Sequence, residues 1–286
     1  MRFSTDGTRL GYGVTAAGHT LGTESFTIWD VPHEHVVTTL DLSGPSVAEA
    51  ALGPEGRTLH LTRLGDDDRS FGEVWDTRSR RRIKVPGDPA GDHATLRGDG
   101  RLLAGDGTAA RPPSWRWSGA DLVEGSPLGA LAFSPDGSRL AAGDMTGRVT
   151  LWDGDLRHRV TTLPNTFRPP IGPPPEAVSA LAISPDGRTL AVGGSNGGLQ
   201  LWDVPTGQPI GGLLTTPGEA VYTLAFDARG TTLYAGSTHV PLQRYDLDPA
   251  HALSRVCTRT GGSGLSRAQW HTYVPDAPYR RVCSPA

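Results

Sequence analysis

Two stretches decide the reading: Leu131–Asp153, LAFSPDGSRLAAGDMTGRVTLWD, and Leu181–Asp203, LAISPDGRTLAVGGSNGGLQLWD. They share an S-P-D-G turn and an L-W-D ending, with 15 positions from glycine to tryptophan in both. The pair recurs in weaker form along the chain. Turn glycines fall at Gly7, Gly56, Gly100, Gly137, Gly187 and Gly230, at steps of 49, 44, 37, 50 and 43. The aromatics behind them are Trp29, Trp75, Trp117, Trp152, Trp202 and Tyr245, at offsets of 22, 19, 17, 15, 15 and 15. Each unit holds short strand-like runs; in the fifth these are AVSALAIS, RTLAVGG, LQLWDV and PIGGLL. Asn196-Gly197, between the second and third, accepts the positive φ of a tight hairpin, so those runs pair antiparallel. Four strands at a period of ~40–45 residues predict one propeller blade per unit. Burial on both faces explains small and apolar residues such as Ala191, Val192 and Gly193.

These turns, endings and the period resemble WD40 repeats, over roughly residues 2–259. The resemblance implies an all-β, WD40-type propeller with six recognisable four-stranded blades, six or seven in total, and an interaction function without catalysis. The repeat aromatics Trp29, Trp75, Trp117, Trp152, Trp202 and Tyr245 would be structural. Blades of that family often carry a buried Asp–His–Ser–Trp network. This sequence departs from it: no Gly-His precedes an innermost strand, and the hairpin Asp position holds Thr146 in unit four and Asn196 in unit five. Cohesion is therefore expected to rest more on packing.

The first unit is short, because Phe3-Ser4 aligns with Phe133-Ser134 and most of its innermost strand is missing. Either the chain belongs to a longer polypeptide or another segment, such as Tyr279–Cys283, fills the place. Residues 1–264 are read as the propeller and 265–286 as a tail docked on it. Ser266 with Gln269 three positions on is a capping-box pattern, predicting a short helix from about Arg267 to Tyr273, with Trp270, Tyr273 and Val274 docking it. The tail resembles that of bacterial WD40 proteins carrying a STAND-class NTPase. The only lysine, Lys84, has no Gly-rich stretch before it, so the NTPase itself is excluded.

Composition narrows the chemistry further. The 38 glycines and 24 prolines are roughly twice the average share and mark turns rather than linker. A formal net charge of −3 excludes a strongly basic nucleic-acid binder. No apolar run approaches the ~20 residues of a membrane span, and no signal peptide is recognisable, so a cytoplasmic location is expected. Cys257 and Cys283 are too few for a structural zinc site. They form a possible thiol pair: two reduced thiols is the reading a cytosol favours, a disulfide across the tail helix the alternative.

No catalytic, cofactor or metal residues are assigned. The innermost strands carry only Glu49 and Asp227 as carboxylates, with His93 and Arg97. A propeller-type hydrolase is therefore a weaker alternative, as is an accessory sensor acting in trans with a signalling NTPase. Long insertions, AAGHTLGTE, GDDDRSFG, GTAARPPS and PNTFRPPIGPPPEA, are all expected on one face, opposite the S-P-D-G turns. Insertions on one face point to partner binding there. The candidates on that face are His19, Asp67, Arg111, Trp115, Phe167 and Arg168. The expected partner is a protein or peptide, with no nucleic acid, membrane or cofactor.

Overall fold

The second strand of every unit is launched by a turn that glycine closes. All six turn glycines have φ between 65° and 71°, a region that costs other residues ~1–2 kcal/mol. In unit four, Ser134 Oγ donates to Asp136 Oδ1 at 2.6 Å and accepts the Arg139 N–H at 3.0 Å. Ser184, Asp186 and Thr189 repeat this in unit five. The period is therefore set by local hydrogen bonding.

The computed structural model describes residues 2–4, 6–14, 25–42, 46–64, 70–83, 93–105, 108–112, 116–119, 121–163, 166–167, 175–259, 261, 264–281 and 283. They form six antiparallel sheets. The first holds β1 (Arg2–Phe3), β2 (Arg9–Val14), β3 (Ser25–Asp30) and β4 (His35–Asp41). The second holds β5 (Ser46–Leu52), β6 (Thr58–Leu64), β7 (Ser70–Asp76) and β8 (Arg81–Ile83). The third holds β9 (Ala94–Leu96), β10 (Leu103–Gly105), β11 (Thr108–Arg111) and β12 (Arg116–Gly119). The fourth holds β13 (Leu128–Phe133), β14 (Arg139–Asp144), β15 (Val149–Asp153) and β16 (Arg159–Leu163). The fifth holds β17 (Val178–Ile183), β18 (Thr189–Gly194), β19 (Leu199–Asp203) and β20 (Gln208–Ile210). The sixth holds β21 (Thr223–Phe226), β22 (Thr232–Gly236) and β23 (Gln243–Asp246), followed by helices α1 (Pro249–Arg259) and α2 (Arg267–Tyr273).

Within each sheet the chain runs from the innermost strand outward, and residues from all six innermost strands line one central cavity of about 410 Å³. This is the blade arrangement of a β-propeller. Neighbouring blades meet where glycine leaves room. A Cβ at Gly143 would stand 2.4 Å from Val178 Cγ1 of the next blade, and one at Gly193 would stand 2.7 Å from Val221 Cγ1. The cores between blades are aliphatic, for example Val149, Leu151, Leu163, Val178, Leu190 and Val192 between the fourth and fifth.

Several expectations change. In blade three the repeat aromatic is not on the third strand. Ala110 of β11 pairs with Leu103, as Trp152 pairs with Leu140 in blade four, and Trp117 pairs with Ala110 from the outermost strand β12. The run GTAARPPS is thus mostly strand β11 and the link after it. Blade six has three strands where four were expected. Its chain continues into α1 because Asp248 Oδ1 accepts the Ala250 N–H at 2.8 Å and Pro249 opens the first turn. The first blade has its four strands, the innermost only two residues long. None of the described residues of 279–283, the segment expected to fill that place, is in a strand.

The tail helix α2 falls on the expected residues, with both halves of the capping box made by Ser266 and Gln269. It buries no side chain. Tyr273, expected to dock it, is 71% exposed. Trp270 donates to the Ala277 carbonyl at 2.9 Å and stacks edge-on with Tyr279. The two cysteines are joined as a Cys257–Cys283 disulfide, which corrects the reduced-thiol expectation. The physical cause is α1, which carries Cys257 to the place where the returning tail buries Cys283.

Candidate functional site

In-to-out antiparallel order sorts the connections by face. Links from first to second strand and from third to fourth share the face of the S-P-D-G turns. Links from second to third strand, and from each blade to the next, share the opposite face. That opposite face carries Val14-to-Ser25, Leu64-to-Ser70 and Leu163-to-Val178.

Carboxylates order the hairpins of blades four, five and six. In blade four, Asp144 is fully buried, and its Oδ1 accepts the N–H groups of Thr146 and Arg148, each at 2.9 Å. Its Oδ2 accepts Arg148 Nε at 3.0 Å. Burial pushes the Asp144 carboxyl up, but these donors outweigh it and hold it below the ordinary value. In blade five the equivalent position is Gly194. Glu176, from the incoming link, takes over: its Oε1 accepts the N–H groups of Asn196 and Gly198, both at 2.8 Å. A Cβ at residue 194 would lie 2.1 Å from that oxygen, so Gly194 makes the space. Blade six repeats the device. Glu219 Oε2 accepts the His239 N–H at 3.0 Å and Oε1 faces His239 Nδ1 at 2.9 Å. The His239 N–H is the main cause that holds Glu219 below its usual value. Sequence reading missed this device because it looked for the acid at Thr146 and Asn196. The available signal was Glu-Ala-Val before two inner strands, at 176–178 and 219–221.

The proline-rich link is fastened at both ends. Thr166 donates to the Gly147 carbonyl from its N–H at 2.9 Å and its Oγ1 at 2.5 Å. Phe167 is 6% exposed in the core between blades four and five. A Cβ at Gly198 would sit 2.7 Å from its ring. At the far end Glu176 grips the next hairpin.

The predicted site residues are scattered by this geometry. Phe167 is an anchor in the core rather than a contact for a partner. Arg111 lies at the end of β11 on the S-P-D-G face, where its Nη2 donates to the Asp155 carbonyl at 2.6 Å. Its expected place on the insertion face is corrected by the strand assignment of blade three. His19, Asp67, Trp115 and Arg168 lie outside the described residues, as do the aspartates around Asp67. Among the repeat aromatics, Trp29, Trp75, Trp152, Trp202 and Tyr245 sit on third strands. Trp75 Nε1 donates to Glu73 at 2.9 Å, Trp152 Nε1 to the Leu122 carbonyl at 3.0 Å, and the Tyr245 hydroxyl to the Thr215 carbonyl at 2.7 Å.

Glu49, His93, Ser179 and Tyr222 line the central cavity. Among the described residues no three His, Cys, Asp or Glu side chains are grouped so as to hold a metal ion. Of the arginines after β7, Arg81 and Arg82 lie in the outer strand β8, with Arg82 paired to Glu73 at 3.0 Å, and Arg80 lies in the turn before it, where its Nε donates to Thr38 Oγ1 at 2.9 Å. No helix among the described residues is long and apolar enough to cross a membrane.

Six antiparallel sheets in this order, each running outward from a shared cavity, define a β-propeller. Residues 122–153 and 169–203 match the family model described as WD domain, G-beta repeat, so the chain carries WD40 repeats in blades four and five. The match does not extend to the tail. No curated protein matches the chain.

Proposed function

We propose that the chain is a non-catalytic interaction scaffold or sensor module that binds a protein or peptide through its insertion-bearing face. WD40 repeats generally serve protein–protein interaction. The observation that carries the reading is the link from blade four to blade five. Phe167 and Glu176 pin its two ends to adjacent hairpins, so a long proline-rich segment starts and finishes at fixed points on that face. Prolines between fixed ends reduce the conformational entropy lost on binding. On the same face stand Met145, 51% exposed, and the hairpin of Asn196. His19, Asp67 and Arg168 are candidates by position in the sequence. The Cys257–Cys283 bond favours an oxidising compartment over the cytoplasm that the sequence led us to expect.

The test is cross-linking capture from cell extract with the intact chain and with residues 168–174 replaced by a short Gly-Ser link, keeping Phe167 and Glu176. A partner retained by the first and lost by the second supports the reading. If every captured protein survives this change and replacement of residues 15–24 and 65–69, the face is not the binding surface.

A further inference from the structure

The hairpin of blade five carries a reactive amide. Of the chain's two asparagines, Asn196 is followed by Gly197 and Asn165 by the β-branched Thr166. The position of Asn196 is held by Thr146 in the blade-four hairpin and by His239 in that of blade six. Asn196 is exposed, and its side-chain amide makes no hydrogen bond among the described residues. The fold requires glycine after it. Gly197 has φ 91°, and a Cβ there would stand 2.8 Å from the Gly218 backbone. Glycine leaves its own backbone nitrogen unshielded by a side chain. The N–H of Gly197 donates to the Gly194 carbonyl through a long bond of 3.2 Å.

We propose that Asn196 is a site of spontaneous covalent modification, at which the amide is lost and the hairpin backbone is relinked through the side chain. The Gly197 nitrogen attacks Asn196 Cγ. Its proton leaves with the amide nitrogen as ammonia, and a succinimide ring closes. Water then opens the ring. Attack at Cγ gives aspartate on the original backbone. Attack at the main-chain carbonyl gives isoaspartate, whose chain runs through Cβ and Cγ and is longer by a methylene. Water enters, ammonia leaves, and nothing is oxidised or reduced. Asparagine is thermolabile in proteins. The aspartate-glycine pairs of the S-P-D-G turns are protected from the same attack. The Ser134 hydroxyl holds the Asp136 carboxyl below its ordinary value, and the Ser184 hydroxyl does so for Asp186. Both are therefore carboxylates, which resist a nucleophile.

The consequence follows from what the hairpin holds. Glu176 Oε1 accepts the N–H groups of Asn196 and Gly198, both at 2.8 Å, and the Ser195 N–H donates to the Ala177 carbonyl at 2.9 Å. These bonds fix the end of the incoming link. The outgoing link is fixed by Thr216 Oγ1, which donates to the Gly197 carbonyl at 2.6 Å, and by the Val221 N–H, which donates to the Gly194 carbonyl at 3.0 Å. An added methylene between residues 196 and 197 changes the spacing of the two N–H groups on Glu176 and moves the Gly197 carbonyl from Thr216. Either product also sets a negative charge near the Glu176 carboxylate. Conversion thus loosens both links. This inference does not rest on partner binding at that face.

The intact folded chain, held at mildly alkaline pH and body temperature beside a free peptide of residues 193–199, tests the proposal. Mass spectrometry of the tryptic fragment Thr189–Arg229, with electron-transfer fragmentation, reads residue 196. A mixture of aspartate and isoaspartate is expected there, formed about tenfold more slowly than in the peptide, the factor for opening one backbone hydrogen bond. An amide still intact after several times that period overturns the proposal, as does isoaspartate arising first at Asp136 or Asp186. The converted fraction, separated by its added negative charge, should unfold at lower urea than the unconverted fraction of the same incubation. Asn196→Thr, which copies blade four, should keep its midpoint throughout. Equal midpoints for the two fractions overturn the loosening of the links.

Discussion

Glu176→Ser should destabilise the propeller, and Gly194→Asp should rescue it although Gly194→Asp alone is harmful. Glu176 Oε1 accepts two backbone N–H groups at 2.8 Å. Hydrogen bonds to a charged acceptor contribute ~1.5–3 kcal/mol each when buried. Asn196 is exposed and water replaces part of the loss, so about 2 kcal/mol in total is expected. Blade four holds the reverse arrangement: Ser126 at the position of Glu176, Asp144 at that of Gly194. Asp144 Oδ1 accepts the two equivalent N–H groups. Gly194→Asp alone puts a Cβ 2.1 Å from the Glu176 carboxylate, and overpacking with like charge should cost about 2 kcal/mol or more. The double variant copies blade four and should return to within ~1 kcal/mol of the starting stability, a coupling of at least about 2 kcal/mol. Urea unfolding of the four proteins measures the cycle. If the two losses add, the carboxylates are not interchangeable and the account of the face's rigidity fails.

Glu73→Ala should be among the most damaging changes. It leaves the buried Arg63 charge without its carboxylate: the side chain is 3% exposed and donates to Glu73 at 3.0 Å, with the neutral Leu42 carbonyl as a second acceptor, so about 3 kcal/mol is expected in urea unfolding; a loss under 1 kcal/mol would show that water reaches Arg63. Burial pushes the Glu73 carboxyl up, but the Trp75 indole and the Arg63 and Arg82 charges outweigh it and hold it below the ordinary range. Its stabilising effect is therefore complete above the unfolded value of ~4 and lost as pH falls through the lower folded value. His60 acts over a higher window. Burial pushes its pKa down to about 4, so the unfolded chain takes the proton first as pH falls from ~6.5 and stability drops by about 3 kcal/mol by pH ~4. His60→Leu should flatten the stability profile between pH 6.5 and 4, and an unchanged slope would assign it to other groups. Alkylation before and after reductant should show both cysteines protected until reduced. Reduction should expose α2 to trypsin at Arg267 while the propeller's unfolding midpoint moves little, because α2 buries no side chain; a large shift in the midpoint would mean that the tail braces the blades.

The turns were legible because their chemistry is local. Ser134, Asp136 and Arg139 lie within five residues and dictate one conformation wherever they recur. The capping box at Ser266 and Gln269 was legible for the same reason. Blade three was misread because spacing alone cannot say which strand an aromatic joins. The short β10–β11 hairpin moved Trp117 one strand outward. Helix α1 had a signal in Asp248-Pro249, which the expectation of a fourth strand overrode.

From the sequence alone came the period, the strand count of the regular units and the identity of the faces, since each follows from bonds between near neighbours and from the alternation of antiparallel strands. Only the tertiary structure decided that Phe167 is an anchor, that Arg111 is on the other face, and that Glu176 and Asp144 perform one task from opposite sides of a hairpin. It also decided that Cys257 meets Cys283. Each of these depends on which segment lies across from a residue, and that is set by packing between blades, over separations no local pattern encodes.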